Sequence, residues 1–429
     1  LIVIAAEFFS VKDQETNTRA LMWKAIAVAV LVLFFMEYVK PLGKPFNVYM
    51  TVLAFIVTML FTDILFWTKR VSVKRIVIFL MAVTVSTELV YNAKLIMTLD
   101  GGVEHFTQYA EDEMKLIGQL QQQDGGFYRI NQTSTRDVDG NKLTANYNEG
   151  IAYNYKSISG YTSDPDRNQL LFMKQMGYAI CGDVMNVVNT SVLGADSILG
   201  VKYVLSSYDI PGLKKLENIE PGNGKSVYYN PYALPVAFTY ESSNMLPDSE
   251  EKDEFLYQNQ LFSYLSGQNV QVNKRIEAEP KADSNTVGYD VKHMDDPVYG
   301  YFNMKDKDGG KVYVDDQYVT LYNTWLCPRV VYIPQQPDAP STHVHIDGDN
   351  MENRVESACF YYTDLNELEK VTQKIQDRRE DGLLIQDGSI TGTVKNPQNL
   401  DRLYLSVPYD KGWSVKVNGK KIKPELVGN

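Results

Sequence analysis

Val48–Trp67 reads VYMTVLAFIVTMLFTDILFW, with Asp63 its only charged residue. An apolar run of about 20 residues is the length a helix needs to cross ~30 Å of hydrocarbon. The run is followed at once by Lys69, Arg70, Lys74 and Arg75, and then by a second apolar stretch, Ile76–Met97. That stretch begins IVIFLMAVTV and turns more polar after Ser86. Upstream, Leu21–Val39 is apolar except for Lys24 and Glu37 near its ends. The pattern therefore predicts about three transmembrane helices, near 21–39, 48–67 and 76–97.

Basic residues in short loops set the orientation. Lys12 and Arg19 precede the first span and Lys24 lies near its start, and the Lys69–Arg75 cluster joins the second to the third. Both belong on the cytoplasmic side. The loop Lys40–Asn47 carries only Lys40 and Lys44, and Pro41, Gly43 and Pro45 suit a tight outer turn. This parity places residues 98–429 outside the membrane. Trp23, Trp67, Tyr38, Tyr49 and Tyr91 lie near span ends, where aromatic belts form. Leu1–Phe9 (LIVIAAEFF) reads as the tail of an earlier apolar helix, and KIKPELVGN stops in a strand-rich region, so a piece of a longer chain is expected.

The averages conceal this division. The 429 residues are 44% hydrophobic with net charge −11 and mean hydropathy −0.26. Residues 1–97 hold 10 Lys/Arg against 6 Asp/Glu, a net of +4, so residues 98–429 carry −15. A cytosolic enzyme, a low-complexity chain and a disulfide-stapled miniprotein are excluded. The acidic outer part also argues against nucleic acid as a partner, because phosphate binding needs a basic face.

Residues 98–269 read as a mixed α/β domain. A helix over 103–123 follows from Phe106, Tyr109, Met114, Ile117 and Leu120. A short strand at Phe127–Ile130 comes next, then a loop over 131–165 and a helix over 166–193. Ile198–Ser206, Ser226–Tyr229 and Ala237–Tyr240 read as strands, and Phe255–Ser266 as a helix. From about Val270 short alternating strands dominate, interrupted by a helix at Leu365–Arg379, so 270–429 is expected to be a β-sandwich. Near its end, Trp413, Val415 and Val417 share a face, and Asn418-Gly419 supplies a two-residue hairpin turn. The fold class is thus a membrane helical part followed by an extracytoplasmic α+β domain.

Few motifs carry chemistry. Three cysteines, Cys181, Cys327 and Cys359, give no disulfide framework. Gly224-Lys225-Ser226 echoes a phosphate loop, but Ile219 stands where its first glycine is required. Asp137, Asp139 and Asn141 resemble a calcium loop without its Gly and Glu, which favours an Asx-rich turn. His343 and His345 share one strand face beside Asp347 and Asp349; a surface strand is the plainer reading than a metal site, and no cofactor is implied. Ionisable residues within spans are functional candidates. Glu88 and Asn92, one helical turn apart, are candidates to line a polar path for a lipid-phosphate donor or an acceptor; pairing with a neighbouring helix is the alternative.

Several phrases in order carry a family resemblance. They are Glu88-Leu-Val-Tyr-Asn92, Phe127-Tyr-Arg-Ile130, Leu199-Gly-Val-Lys-Tyr-Val-Leu-Ser206 and Asn230-Pro-Tyr-Ala-Leu-Pro235. Asn146, Ser157-Ile-Ser-Gly160-Tyr161, Gln258–Gly267 and Ser406–Lys420 complete the series. The chain resembles the YfhO family of bacterial multi-pass membrane proteins. The resemblance implies a GT-C type glycosyltransferase architecture. The implied reaction moves a sugar from a polyprenyl-phosphate donor to a cell-envelope glycopolymer such as lipoteichoic acid, at the outer face of the bacterial cell membrane. Its catalytic acid is expected in an earlier outer loop, so no catalytic residue is assigned here. Lys40 and Lys44 are candidates to meet a lipid phosphate as point charges. Arg129 is a candidate to reach a phosphate or sugar. The alternative is a non-catalytic membrane-anchored module that binds envelope glycan or assists transport.

Overall fold

The computed structural model describes residues 23, 24, 26–28, 30, 31, 45–98, 103–133, 148–178, 180, 181, 184–187, 190–241, 245–248, 250–305, 309–322, 329–378, 380–386, 388–394, 396 and 398–427. The chain divides into two units, Leu1–Phe106 and Thr107–Asn429.

In the first unit, α1 (Pro45–Trp67) and α2 (Val71–Thr98) are packed together. Proline suits the opening of α1, where its missing N–H has no intrahelical partner to lose. Tyr49–Trp67 and Val71–Ile96 are each long and apolar enough to cross a membrane. Their apolar side chains stay exposed, among them Leu53, Phe55, Phe66, Ile78, Phe79 and Val90. A helix that is apolar all round requires an apolar surrounding. The helix α2 starts five residues before the expected Ile76, so Lys74 and Arg75 lie within its first turns. Of the expected span 21–39, residues 23, 24, 26–28, 30 and 31 are helical, and the rest lie outside the described residues.

The second unit begins within α3 (Val103–Gln123), a helix that the periodicity predicts. Its buried face is Tyr109, Glu113, Leu116, Ile117 and Leu120, whereas Met114 is exposed. There follow β1 (Arg129–Gln132), α4 (Glu149–Ala152), β2 (Gly160–Thr162) and α5 (Arg167–Gln175). The helix expected over 166–193 is broken. After α5 come β3 (Ile180–Cys181), β4 (Val184–Val187) and α6 (Leu193–Ile198). Gly177, at φ +90°, ends the first helical piece, and β2, β4 and β3 form a small antiparallel sheet. Next are β5 (Val201–Ser206), β6 (Lys214–Lys215) and β7 (Ser226–Tyr229). The sheet order β1-β5-β7-β6 places β1 parallel to β5 and β7 antiparallel to it. The helix α3 shares the core of this sheet through Leu116, Ile117, Leu120, Ile130, Tyr203, Leu205 and Val227.

After β8 (Ala237–Tyr240), α7 (Glu254–Ser266) is capped by the Asp253 carboxylate and ends at Gly267 in the left-handed region. The strands β9 (Asn273–Ile276), β10 (Pro280–Ala282), β11 (Thr286–Lys292) and β12 (Val298–Met304) come next. The run expected as one strand over 311–322 is a hairpin, β13 (Gly310–Val314) and β14 (Gln317–Tyr322). Asp315 and Asp316 turn it at φ 45° and 61°, a pairing of positive φ values that Asp tolerates. The strands β15 (Val331–Ile333) and β16 (Ser341–Asp347), the short helix α8 (Met351–Arg354), β17 (Val355–Thr363) and α9 (Leu365–Gln376) complete the region. A five-stranded sheet, β10-β11-β16-β13-β14, and a four-stranded sheet, β15-β12-β17-β9, send side chains into one shared core that includes Val291, Val312, Ile346, Phe302 and Phe360.

The last strands are β18 (Glu380–Gln386), β19 (Ser389–Val394), β20 (Arg402–Leu405), β21 (Val415–Val417) and β22 (Lys420–Ile422). The strand β20 returns to pair with β8, with Tyr404 opposite Phe238, 166 positions earlier, so Tyr404 joins the core around α7. That core draws on residues from Met173 to Tyr404 and crosses position 270 repeatedly.

Candidate functional site

A cleft of about 2320 Å³ opens in the second unit. It is bordered by the β1 end, the 148–162 segment, β8, the β18–β19 hairpin and the chain from 400 to 427. Its charged lining is Arg129, Lys156, Arg402, Lys416 and Lys423 against Asp401 and Glu425. A cationic excess inside an acidic region concentrates attraction for anions in one place. Arg402 is paired with Glu425 at 2.8 Å. Tyr161, Phe172, Tyr409 and Trp413 supply aromatic surface to the same cleft.

Arg129 lines this cleft as a largely buried guanidinium. Its Nη1 donates to the Leu199 carbonyl at 2.6 Å and to Ser406 Oγ at 3.1 Å, and its Nη2 donates to the Ser406 carbonyl. It also lies 5.5 Å from the centre of the Phe127 ring. Burial lowers its pKa from the usual arginine value. These bonds hold the cation in one orientation at the cleft wall.

Glu88 and Asn92 meet as a cluster in the first unit, joined by Thr51 from α1. Thr51 Oγ1 donates to Glu88 Oε1 at 3.0 Å, and Asn92 Nδ2 donates to the same carboxylate and to Thr51 Oγ1 at 3.3 Å. Thr51 carried no signal in the sequence beyond being a polar residue in an apolar run. Lys40 and Lys44 lie outside the described residues, as do Asp137, Asp139, Asn141 and Cys327.

Several buried polar networks occur elsewhere among the described residues of the second unit, and three of them include acidic or basic side chains. Asp196 is fully buried and accepts from Asn131 Nδ2 at 2.9 Å, from Ser191 Oγ at 2.5 Å and from the Tyr178 hydroxyl. Burial outweighs these donors and pushes its carboxyl up to about 6. Glu254 on α7 pairs with Arg329 Nε at 2.7 Å, and Arg329 also donates to the Phe302 carbonyl and Asn303. Lys225 is buried between Glu113 and Glu149. Gly224-Lys225-Ser226 is therefore no phosphate loop, because its lysine points into the protein core. Glu113 is the sequence signal that could have revealed this network, since it falls on the apolar stripe of α3.

His343 and His345 do share a face, with ring centres 5.3 Å apart. His343 Nδ1 is 2.8 Å from Asp290, and His345 stacks on Tyr313. Among the described residues, no group of three or more His, Cys, Asp or Glu side chains is placed to hold a metal. Cys359 is a buried free thiol.

The family model described as bacterial membrane protein YfhO matches residues 1–429. No curated protein and no solved structure matches the chain. With two membrane-length apolar helices in a chain that the family model covers from end to end, this protein belongs to the YfhO family of bacterial membrane proteins.

Proposed function

We infer that the chain is part of a multi-pass envelope glycosyltransferase of GT-C type. In this reading three helices, near 21–39, 48–67 and 76–97, span the bacterial cell membrane, and residues 98–429 lie outside. The outer part comprises a mixed α/β region over 98–269 and a β-sandwich over 270–429, whose two sheets close on their shared core. The donor is a polyprenyl-phosphate-linked sugar, and the acceptor is a cell-envelope glycopolymer such as lipoteichoic acid. Lys40 and Lys44 meet donor phosphate or lipid headgroups, Glu88 and Asn92 line the polar path within the membrane, and Arg129 braces the acceptor site.

The observation that carries this reading is the cleft of about 2320 Å³, with five basic residues against two acids and aromatic rings along its wall. Aromatic faces suit sugar rings, and the cationic excess suits an anionic polymer. Deletion of the complete gene, followed by analysis of sugars on the wall polymers, tests it. Loss of one sugar substituent is expected, and unchanged decoration overturns the transferase reading.

A second reading has its own support. Among the described residues, the carboxylates lining the cleft are Asp401 and Glu425, and Glu425 is ion-paired. A module that binds glycan without acting on it needs no free acid. Polymer binding by the purified chain, with decoration unchanged in the deletion strain, selects this module.

A further inference from the structure

The Lys225 network has an arrangement beyond that of a simple ion pair. Lys225, Glu113, Gln132 and Glu149 are all buried, and Tyr109 and Tyr155 close the site. Lys225 Nζ lies 3.1 Å from Gln132 Oε1, 2.8 Å from Glu113 Oε2 and 3.5 Å from Glu149 Oε2. Gln132 Nε2 lies 2.9 Å from that same Glu149 oxygen. One carboxylate oxygen thus faces both the lysine nitrogen and the amide nitrogen of the glutamine. The Tyr109 hydroxyl donates to Glu149 Oε1 at 2.5 Å and fixes the carboxylate's orientation. A primary amine, a carboxamide and a bridging acid are held together with water excluded.

We propose that Lys225 and Gln132 join in an intramolecular isopeptide bond, with Glu149 carrying the proton between the two nitrogens. The step balances without a co-reactant. Lys225 first passes a proton to Glu113, whose carboxyl burial raises above the usual range despite the opposing pull of Lys225. The neutral amine attacks Gln132 Cδ and forms the new C–N bond. Glu149 takes the proton released from Nζ and delivers it to Nε2. The old C–N bond breaks and ammonia leaves. Proximity and orientation substitute for an external enzyme, as in other well-aligned intramolecular reactions. The product is a covalent tie between β1 and the residue just before β7, two strands that flank β5 in the same sheet. It fixes that sheet beneath α3, which supplies Glu113 and Tyr109.

The mass of the full chain purified in detergent decides the matter. The expected mass is lower than the sequence mass by one ammonia. Proteolysis should give a branched peptide joining the segment of Gln132 to that of Lys225, with no tryptic cleavage after Lys225. Lys225→Arg keeps a cation but removes the nucleophile, and should restore the unlinked mass. Glu149→Gln should do the same in a chain that still melts cooperatively. A native chain at its full sequence mass, or one that has lost ammonia without the branched peptide, overturns the proposal whether or not either variant folds. A folded Glu149→Gln chain that still cross-links overturns the role given to Glu149.

Discussion

Arg129 grips Ser406 from 277 positions away, with one guanidinium nitrogen on the hydroxyl and the other on the backbone carbonyl. The same side chain also holds the Leu199 carbonyl, so it joins the first strand of the second unit to the chain that follows β20. Arg129→Ala would leave two carbonyls without this donor. At ~1–3 kcal/mol for each buried orphaned group, a loss of about 2–6 kcal/mol is expected. Arg129→Lys should recover little, because an ammonium cannot reproduce the planar fork. Urea unfolding of the full chain measures both, and a loss no larger than that of a surface substitution would contradict the bracing role.

Asp196 gives stability a defined pH dependence. Its carboxyl is raised from 3.8 to about 6 by burial. An acid with a higher pKa when folded keeps its proton longer in that state. Its contribution is therefore fully present below about pH 4 and is lost as the pH rises through about 6. The span corresponds to about 3 kcal/mol at 1.36 kcal/mol per unit. Asp196→Asn should flatten the change in unfolding midpoint between pH 4 and 6. Equal slopes for the variant and the native chain would show that other groups set this dependence.

Such a carboxyl was beyond the reach of sequence reading, and the reasons are physical. Periodicity located α3 at Val103–Gln123 and most strands after 270, because alternation and 3.6-residue spacing are local properties. It failed over 166–193, where apolar residues are spaced like a helix but Gly177 turns the chain into strands. It merged β13 with β14, because Asp315-Asp316 is a weaker turn signal than Asn418-Gly419. The candidate site was less legible. Glu88 and Asn92 stood out because polar groups are rare in apolar runs, yet their partner Thr51 lies on another helix. The cleft is assembled from segments more than 200 positions apart, and no local pattern records that meeting.

Glu254, buried on α7, pairs with the partly buried Arg329 from the strand region after position 270. Arg329 lies 4.5 Å from the Tyr301 ring centre as well. Removing one partner strands the other charge in a dry setting, which typically costs ~3–5 kcal/mol. Arg329→Ala, which strands the buried Glu254 carboxylate, should fall in that range, and Glu254→Ala, which leaves a partly exposed guanidinium with other acceptors, should cost less. The double variant should cost less than the sum of the two, since neither charge then remains alone. Additive losses would mean that the two side chains act independently.

In α2, Glu88→Gln keeps an acceptor for Thr51 and Asn92, whereas Glu88→Leu removes it. Interhelical hydrogen bonds in membranes are worth ~0.6 kcal/mol on average. A structural cluster predicts near-native behaviour for Gln and a small loss for Leu, read as thermal stability in detergent. If Glu88 lines a path that needs its charge, Gln should abolish sugar transfer in cells while stability stays unchanged. Equal transfer by the Gln variant and the native protein would remove Glu88 from the functional residues.

Trp413 separates packing from recognition. The hairpin β21–β22 turns at Asn418-Gly419 as the sequence implies, but it is not a buried piece of core. Val417 is 42% exposed and Ile422 47%, and Trp413 is half-buried with its indole N–H on the Pro408 carbonyl at 3.1 Å. Replacement of a fully buried Trp by Ala costs ~3–5 kcal/mol. With its ring partly in solvent at the cleft wall, Trp413→Ala should cost about 1 kcal/mol of stability. Binding of envelope glycopolymer should weaken far more than folding does, by about tenfold or greater for a lost stacking contact of ~1.4 kcal/mol. Titration of the native and variant chains with wall polymer, alongside their melting curves, reads both quantities. A large loss of stability with binding unchanged would return Trp413 to the sheet and leave the cleft without its aromatic platform.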